Sequence, residues 1–138
     1  MAVIGISHTG MSVKDMPASL HFYVDLLGFT KKFALDNDGK PWINYLEIGN
    51  SHQFVELFYN YTDKKAHPDL FDYYSMNHLS LQVDDIHALE KQLTEAGVAI
   101  EHAPRLGRDH TWQMWVQDPD GNQIEFMEMT ADSMQMQD

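Results

Sequence analysis

Two stretches of the chain pass through the same change of hydrophobic rhythm. His8 to Val13 and His78 to Val83 read as strands whose alternate side chains face opposite ways. After each comes an aspartate, Asp15 or Asp85, and the apolar period lengthens to that of a helix. Met16, Leu20, Tyr23 or Val24, and Leu27 share one face of the first predicted helix. Ile86, Leu89, Leu93 and Ala96 share one face of the second. An aspartate at that point is a natural N-cap, because its carboxylate accepts from a backbone N–H that the first turn leaves without a partner. Gly28 and Gly97 stand where a left-handed residue would end each helix.

The copies stay in step beyond the helices. Phe29 to Leu35, Trp42 to Ile48 and His52 to Tyr59 are predicted strands of the first copy. They are separated by the turn signals Asp36-Asn37-Asp38-Gly39 and Gly49-Asn50. Val98 to Ala103, Thr111 to Gln117 and Asn122 to Met129 are their counterparts. Between these lie a loop carrying Pro104, Gly107 and Arg108 and the turn Asp118-Pro119-Asp120-Gly121. Val55-Glu56-Leu57 corresponds to Ile124-Glu125-Phe126, and the His-to-Glu spacing is 48 residues in the first copy (56 − 8) and 47 in the second (125 − 78). The pattern predicts an α+β chain of two βαβββ modules whose mixed sheets would join as a half-open barrel. Module one covers about 3–60, the connector 61–76, module two about 77–129, and a frayed tail 130–138. At 138 residues this is the size of one domain.

Strand alternation sorts the polar residues. Thr9, Met11 and Val13 face the first helix, as do Val55 and Leu57, which leaves His8, Gly10, Ser12, Phe54, Glu56, Phe58 and Asn60 on the other face. In the second copy Leu79, Leu81, Val83, Ile124 and Phe126 face the helix, while His78, Ser80, Gln82, Gln123, Glu125 and Met127 face away. His8, Glu56, His78 and Glu125 therefore occupy equivalent positions on the face turned from the helices. Burying two carboxylates on an aromatic-rich surface without a cation is costly, and two histidines with two carboxylates suit a divalent metal of intermediate or hard character. Trp42, Phe54, Phe58, Trp112 and Trp115 are candidate pocket walls. His110 precedes a strand, where a surface role is the simpler reading. His21, His52, His67, His87 and His102 have no partner at ligand spacing.

Composition narrows the classes. The chain is 43% apolar and 12% aromatic, enough for a packed core. It has no cysteine, which excludes disulfides, thiolate metal sites and thiol nucleophiles. Its formal charge, 9 − 21 = −12, argues against nucleic acid and anionic membrane surfaces as partners. The first residues lack the basic start and long apolar run of a secretory signal, and no apolar run approaches a bilayer span, so a cytoplasmic protein acting on a small molecule is expected.

The opening His8-Thr9, His21-Phe22-Tyr23 and Leu27-Gly28-Phe29, the central Asn77-His78-Leu79-Ser80 and the closing Asp118-Pro119-Asp120-Gly121-Asn122-Gln123-Ile124-Glu125 resemble the vicinal oxygen chelate superfamily, the glyoxalase, bleomycin-resistance and extradiol dioxygenase group. The resemblance covers about residues 3–129 and is nearest to bacterial glyoxalase I. It implies a glyoxalase-like fold and a metal set of His8, Glu56, His78 and Glu125. It also implies conversion of the hemithioacetal of methylglyoxal and a thiol to a 2-hydroxyacyl thioester, with Glu125 as base and Glu56 as the other candidate. Glu56-Leu57-Phe58-Tyr59-Asn60-Tyr61 resembles the segment in which an asparagine touches glutathione, which would fall to Asn60. Ser12 stands where those enzymes place an arginine on glutathione, so another thiol is a co-substrate to weigh beside it, with Arg105 or Arg108 as the remaining source of positive charge. The look-alikes lean to nickel or cobalt, with zinc, manganese and iron also compatible, and to homodimers whose modules pair within or between chains. The superfamily equally holds epimerases, thiol transferases, dioxygenases and metal-free drug-binding proteins.

Overall fold

The computed structural model describes residues 2–62, 65, 72 and 74–137. The chain divides into two compact units, residues 1–65 and 66–138, and each is one βαβββ module. In the first unit β1 (His8–Val13) leads to α1 (Met16–Leu20), then β2 (Thr30–Asn37), β3 (Lys40–Glu47) and β4 (Phe54–Tyr59). In the second, β5 (Leu79–Gln82) leads to α2 (Ile86–Glu95), then β6 (Ile100–Leu106), β7 (Trp112–Gln117) and β8 (Gln123–Glu128). The sheet orders are β1-β4-β3-β2 and β5-β8-β7-β6. In each, the first strand lies parallel to the last, and the other neighbours are antiparallel. The predicted α+β, twice-repeated βαβββ plan is what forms.

The caps act as the sequence suggests. Asp15 Oδ1 accepts from the Ala18 N–H at 3.1 Å, and Asp85 Oδ1 from the Ala88 N–H at 2.8 Å. Glu128, reaching from β8, accepts from the Ile86 N–H at 2.7 Å and closes α2 a second time. At the other end of α2, Gly97 takes φ +81° and the Val98 N–H returns to the Leu93 carbonyl. Asp38 (φ 50°) and Gly39 (φ 76°) form a two-residue hairpin loop between Asn37 and Lys40, the left-handed pair that suits strand twist.

Three expectations change. The first helix is α-helical only to Leu20 and continues as a π-helix over His21–Leu26, with the Leu27 N–H donating to the Phe22 carbonyl at 3.1 Å. The wider turn shifts the inward face, so Phe22 and Tyr23 are both buried, their rings meeting edge-on at 5.0 Å. Strand β6 does not stop before Pro104. It runs to Leu106 through register shifts on either side of His102, because an edge strand tolerates a proline that donates nothing. The tail expected to fray is tied down: Ser133 is fully buried, Thr111 Oγ1 donates to Ser133 Oγ at 3.0 Å, and the Met134 N–H donates to the Asp109 carbonyl at 2.9 Å. Most of the connector, His67 included, lies outside the described residues.

The core of each unit is the layer between sheet and helix. Val13, Tyr23, Leu46, Val55 and Leu57 fill the first, and Leu81, Ile86, Leu93, Met114, Val116, Ile124 and Phe126 the second. Each unit therefore has one sheet face sealed by its helix and one left for chemistry. Among the described residues no helix is long and apolar enough to cross a membrane.

Candidate functional site

In the first unit the parallel pairing of β1 and β4 sets His8 against Phe54, Gly10 against Glu56 and Ser12 against Phe58. All six lie on the face away from α1. His8 Nδ1 stands 3.2 Å from Glu56 Oε1, with Glu56 only 5% exposed and His8 about half exposed. A Cβ on Gly10 would lie 3.2 Å from the Phe58 ring, which would have to give by a few tenths of an ångström, and in ordinary contact with Glu56 Oε2 at 3.9 Å. On the next strand Tyr45 pairs with Glu56. Burial, followed by the hydrogen bond and the charge of Glu56, pushes the Tyr45 phenol above its ordinary value of 10.0. Phe33 stacks on Tyr45 at 4.1 Å, Phe54 lies 6.3 Å from it, and Trp42 meets Phe58 edge-on at 6.1 Å.

The second unit repeats the pair in different surroundings. His78 Nε2 lies 3.4 Å from Glu125 Oε2, and Glu125 is 7% exposed. Ser80 takes the place of Gly10, paired with Glu125 across β5 and β8. His78 Nδ1 is engaged by the Asn77 side-chain oxygen. In the neutral tautomer that donates from Nδ1 to Asn77, the Nε2 lone pair faces the carboxylate, and two acceptors meet. A cation between them removes the conflict, and an outer oxygen on the far ring nitrogen is how metal-binding histidines are commonly oriented. Trp115, paired with Glu125 on β7, meets the His78 ring edge-on at 4.8 Å. A cleft of about 510 Å³ opens beside the pair, with Ser80, Asp109, Gln113 and Gln135 among its walls.

Each unit thus brings one predicted histidine to one predicted glutamate. Among the described residues no lysine or arginine reaches Glu56 or Glu125, and no three metal-ligating side chains gather in either unit. In each unit, a buried carboxylate facing an imidazole is a donor pair of a kind that suits a divalent ion of intermediate hardness.

The remaining candidates fall on both sides of the expectation. Asn60 ends the first sheet, where its Oδ1 accepts from the Thr62 N–H at 3.2 Å and closes a local turn. Trp115 lines the site face, but Trp112 does not. It pairs with Glu128, whose carboxylate caps α2, and its ring lies 5.2 Å from His87 on that helix. The two tryptophans are three residues apart, an odd spacing that puts them on opposite faces. His110 serves through its backbone, with its carbonyl accepting from Thr130 Oγ1 at 2.8 Å and Ser133 Oγ at 3.2 Å. That anchorage delivers Gln135 to the cleft, a contribution no periodicity in the tail announces. The Asp118-Pro119-Asp120-Gly121 motif is structural: Asp118 Oδ1 accepts from the N–H groups of Asp120 and Asn122, each at 2.9 Å, and so aims β8 back along β7.

The Glyoxalase/Bleomycin resistance protein/Dioxygenase superfamily profile matches residues 5–126. The lactoylglutathione lyase of Haemophilus influenzae is 35% identical over 129 residues, which cover 89% of this chain and 91% of that protein. A glyoxylase/bleomycin resistance protein/dioxygenase domain from Frankia sp. EAN1pec shares the fold with a TM-score of 0.78 at 19% identity, over 94% of this chain and 95% of that one. An antibiotic binding protein from Streptomyces sp. CB03234 shares it with a TM-score of 0.74 at 23% identity, over 94% of this chain and 99% of that one. These two likenesses concern the fold alone, whereas the profile spans both His–Glu pairs as well as both sheets: the chain belongs to the Glyoxalase/Bleomycin resistance protein/Dioxygenase superfamily.

Proposed function

We propose that this chain is a divalent-metal-dependent lyase of glyoxalase I type, which converts the hemithioacetal of methylglyoxal and a thiol to a 2-hydroxyacyl thioester. The observation that carries the reading is the repeated pair, a buried carboxylate facing one imidazole with, among the described residues, no lysine or arginine to neutralise it, in a chain 35% identical to a lactoylglutathione lyase. His8, Glu56, His78 and Glu125 would hold one metal, nickel or cobalt by preference, with the two half-sites meeting within one chain or across a cytoplasmic homodimer. When bound, the metal supplies positive charge that stabilises the negative charge developing on the two reacting oxygens of the substrate.

The chain's own residues do the rest. Glu125 removes the proton from C1 and returns it to C2 of the enediolate, the work of a carboxylate held within hydrogen-bond reach of substrate. Asn60 lies at the edge of the same sheet face as Glu56 and would touch the thiol. Ser12 supplies no positive charge to an anionic thiol such as glutathione. A second cleft, of about 630 Å³, lies on the site face of the second sheet and brings together His102, Arg105, Gln113 and Trp115. Arg105 there offers a fork for a carboxylate.

The test strips the purified protein with a chelator and returns nickel, cobalt, zinc or manganese. Loss of the methylglyoxal–glutathione hemithioacetal and formation of its thioester are followed throughout. Metal-dependent turnover is expected. Metal binding without turnover would remove glutathione as co-substrate. No metal binding would overturn the reading and favour a metal-free binding protein.

A further inference from the structure

Residues 130–137, beyond β8, are held by a knot of polar bonds. The carbonyl of His110, a residue at φ 61°, accepts from Thr130 Oγ1 and Ser133 Oγ. Ser133 Oγ accepts in turn from the Thr130 N–H at 2.8 Å and from Thr111 Oγ1 at 3.0 Å, and Thr111 and Ser133 are both fully buried. A single 3₁₀ turn over Met134–Met136 stands on this knot, with Met134 62% and Met136 61% exposed. A segment ordered to seal a core turns its large apolar side chains inward. This one leaves them in solvent, and the side chain it carries to the cleft beside His78 and Glu125 is Gln135, which lies between them. The Gln135 amide makes no hydrogen bond among the described residues.

The lining of that cleft sets what it can receive. Ser80, Gln82, Gln113 and Gln135 bring hydroxyl and carboxamide groups, each able to donate and to accept. Asp109 adds a carboxylate, and among the described residues no lysine or arginine lines the cleft. Asp109 joins this wall to the tail. Its Oδ1 accepts from Gln113 Nε2 at 3.1 Å, beside Gly107, where a Cβ would lie 2.5 Å from that oxygen. Its backbone carbonyl accepts from the Met134 N–H at 2.9 Å. An anionic group would meet only acidic and neutral partners here. A peptide-type amide, with one N–H and one carbonyl, matches a primary carboxamide that both donates and accepts. An anionic end of the same molecule would find Arg105 in the neighbouring cleft, which shares Gln113 as a wall.

Resting on the lyase reading above, we propose that Gln135 is a specificity-determining residue that hydrogen-bonds an amide of a peptide thiol in the substrate, with the Thr111–Ser133–His110 knot as the device that positions it.

The experiment uses the full chain reconstituted with Co²⁺. It measures kcat and KM for the methylglyoxal–glutathione hemithioacetal, binding of S-methylglutathione by calorimetry, and Co²⁺ affinity. Gln135 is exposed, so Gln135→Ala removes the amide without opening a core. KM should rise and S-methylglutathione binding should weaken by roughly 3- to 10-fold, the effect of losing one neutral hydrogen bond. Unchanged kcat and Co²⁺ affinity should accompany that loss of binding. Met136→Ala, one residue along the same turn, should change none of these. Ser133→Ala, which unties the knot, should raise KM as far, and adding Gln135→Ala to it should bring almost nothing more. Unchanged KM and binding in Gln135→Ala, or an equal shift in Met136→Ala, overturns the inference while the lyase reading stands. A wild type that takes up Co²⁺ but neither turns over nor binds the glutathione compounds overturns it too, because the cleft then reads no peptide thiol, and the metal site is left to another substrate. A wild type that takes up no Co²⁺ ends the lyase reading and the inference with it.

Discussion

The first unit surrounds its His–Glu pair with several rings, and the second sets its own beside one indole, polar groups and open space. Around Glu56 stand Tyr45, Phe54 and Phe58, with Phe33 and Trp42 behind them, and Gly10 beneath lets the Phe58 ring settle. Around Glu125 stand Trp115, Ser80, Gln113 and Gln135, facing a cleft of about 510 Å³. One topology, a His-to-Glu spacing of 48 residues against 47 and one pair of residue types have been kept, while the surroundings of the pair have diverged. The repeat presents two matching His–Glu pairs, and the outer-strand and tail residues give them unequal surroundings.

The largest expected effect comes from neutralising each carboxylate in turn. Glu125→Gln should lower turnover by about 10²- to 10⁴-fold, the usual contribution of a positioned acid–base group, while most of the metal affinity survives. Glu56→Gln should act chiefly on metal affinity, with turnover largely restored when the metal is raised to saturation. Paired titrations of the two variants, read as affinity and as turnover at saturating metal, decide the matter. Matching losses in both would show that the units are functionally equivalent despite their surroundings.

How far the sequence carries depends on which kind of physical pattern is involved. The meeting of His8 with Glu56 and of His78 with Glu125 was legible because strand alternation and a repeat act together, and two equivalent polar positions on one face are hard to place by chance. The caps Asp15 and Asp85 and the stops Gly28 and Gly97 were legible because each satisfies a local backbone requirement. What escaped depends on distant parts of the fold. The π-helical turn at His21–Leu26 has the same apolar letters as an α-helix, and only packing on the sheet selects it. The tail has no period to read, yet Ser133 finds a buried partner in Thr111 and Gln135 enters the site. Tyr45 looks like one more aromatic of a strand until the register sets it against Glu56. Trp112 could have been assigned correctly from its odd spacing to Trp115.

The same comparison locates a weakness in the first core. Asn44 on β3 pairs with Leu57, as Met114 on β7 pairs with Phe126, and both face their helices. Met114 is apolar and fully buried, whereas Asn44 is 1% exposed and its Nδ2 makes no hydrogen bond among the described residues. A buried donor without a partner costs about 1–3 kcal/mol. Asn44→Leu, close to the same shape, should therefore stabilise the chain by about that amount in urea unfolding and leave Co²⁺ affinity unchanged. A loss of stability instead would mean that the amide is satisfied in solution, for example by an internal water.

The smallest effect is confined to acid. Glu47 on β3, two residues past Tyr45, is 3% exposed and accepts from Lys32 Nζ at 2.8 Å and from the His52 N–H at 3.2 Å, with His52 Nδ1 at 3.3 Å. The place two residues past Trp115 on β7 is held by Gln117, exposed and uncharged. The Lys32 hydrogen bond, against the opposing effect of burial and with help from the Lys32 charge and from His52, holds the Glu47 carboxyl below its ordinary value of 4.5. A carboxyl depressed by folding contributes stability above its unfolded value, and that stability is lost as pH falls through the lower folded value. The window therefore opens near 4.5 and extends downward. Because Lys32 is half exposed, water and salt weaken the pair. Glu47→Gln should lower the thermal midpoint at pH 7, and the gap to wild type should close as pH drops below about 4.5. Added salt at pH 7 should narrow it as well. Midpoints that stay parallel across the acid range would show that Glu47 acts through packing alone. The first unit would then differ from the second in shape and aromatic content, without a charged anchor of its own.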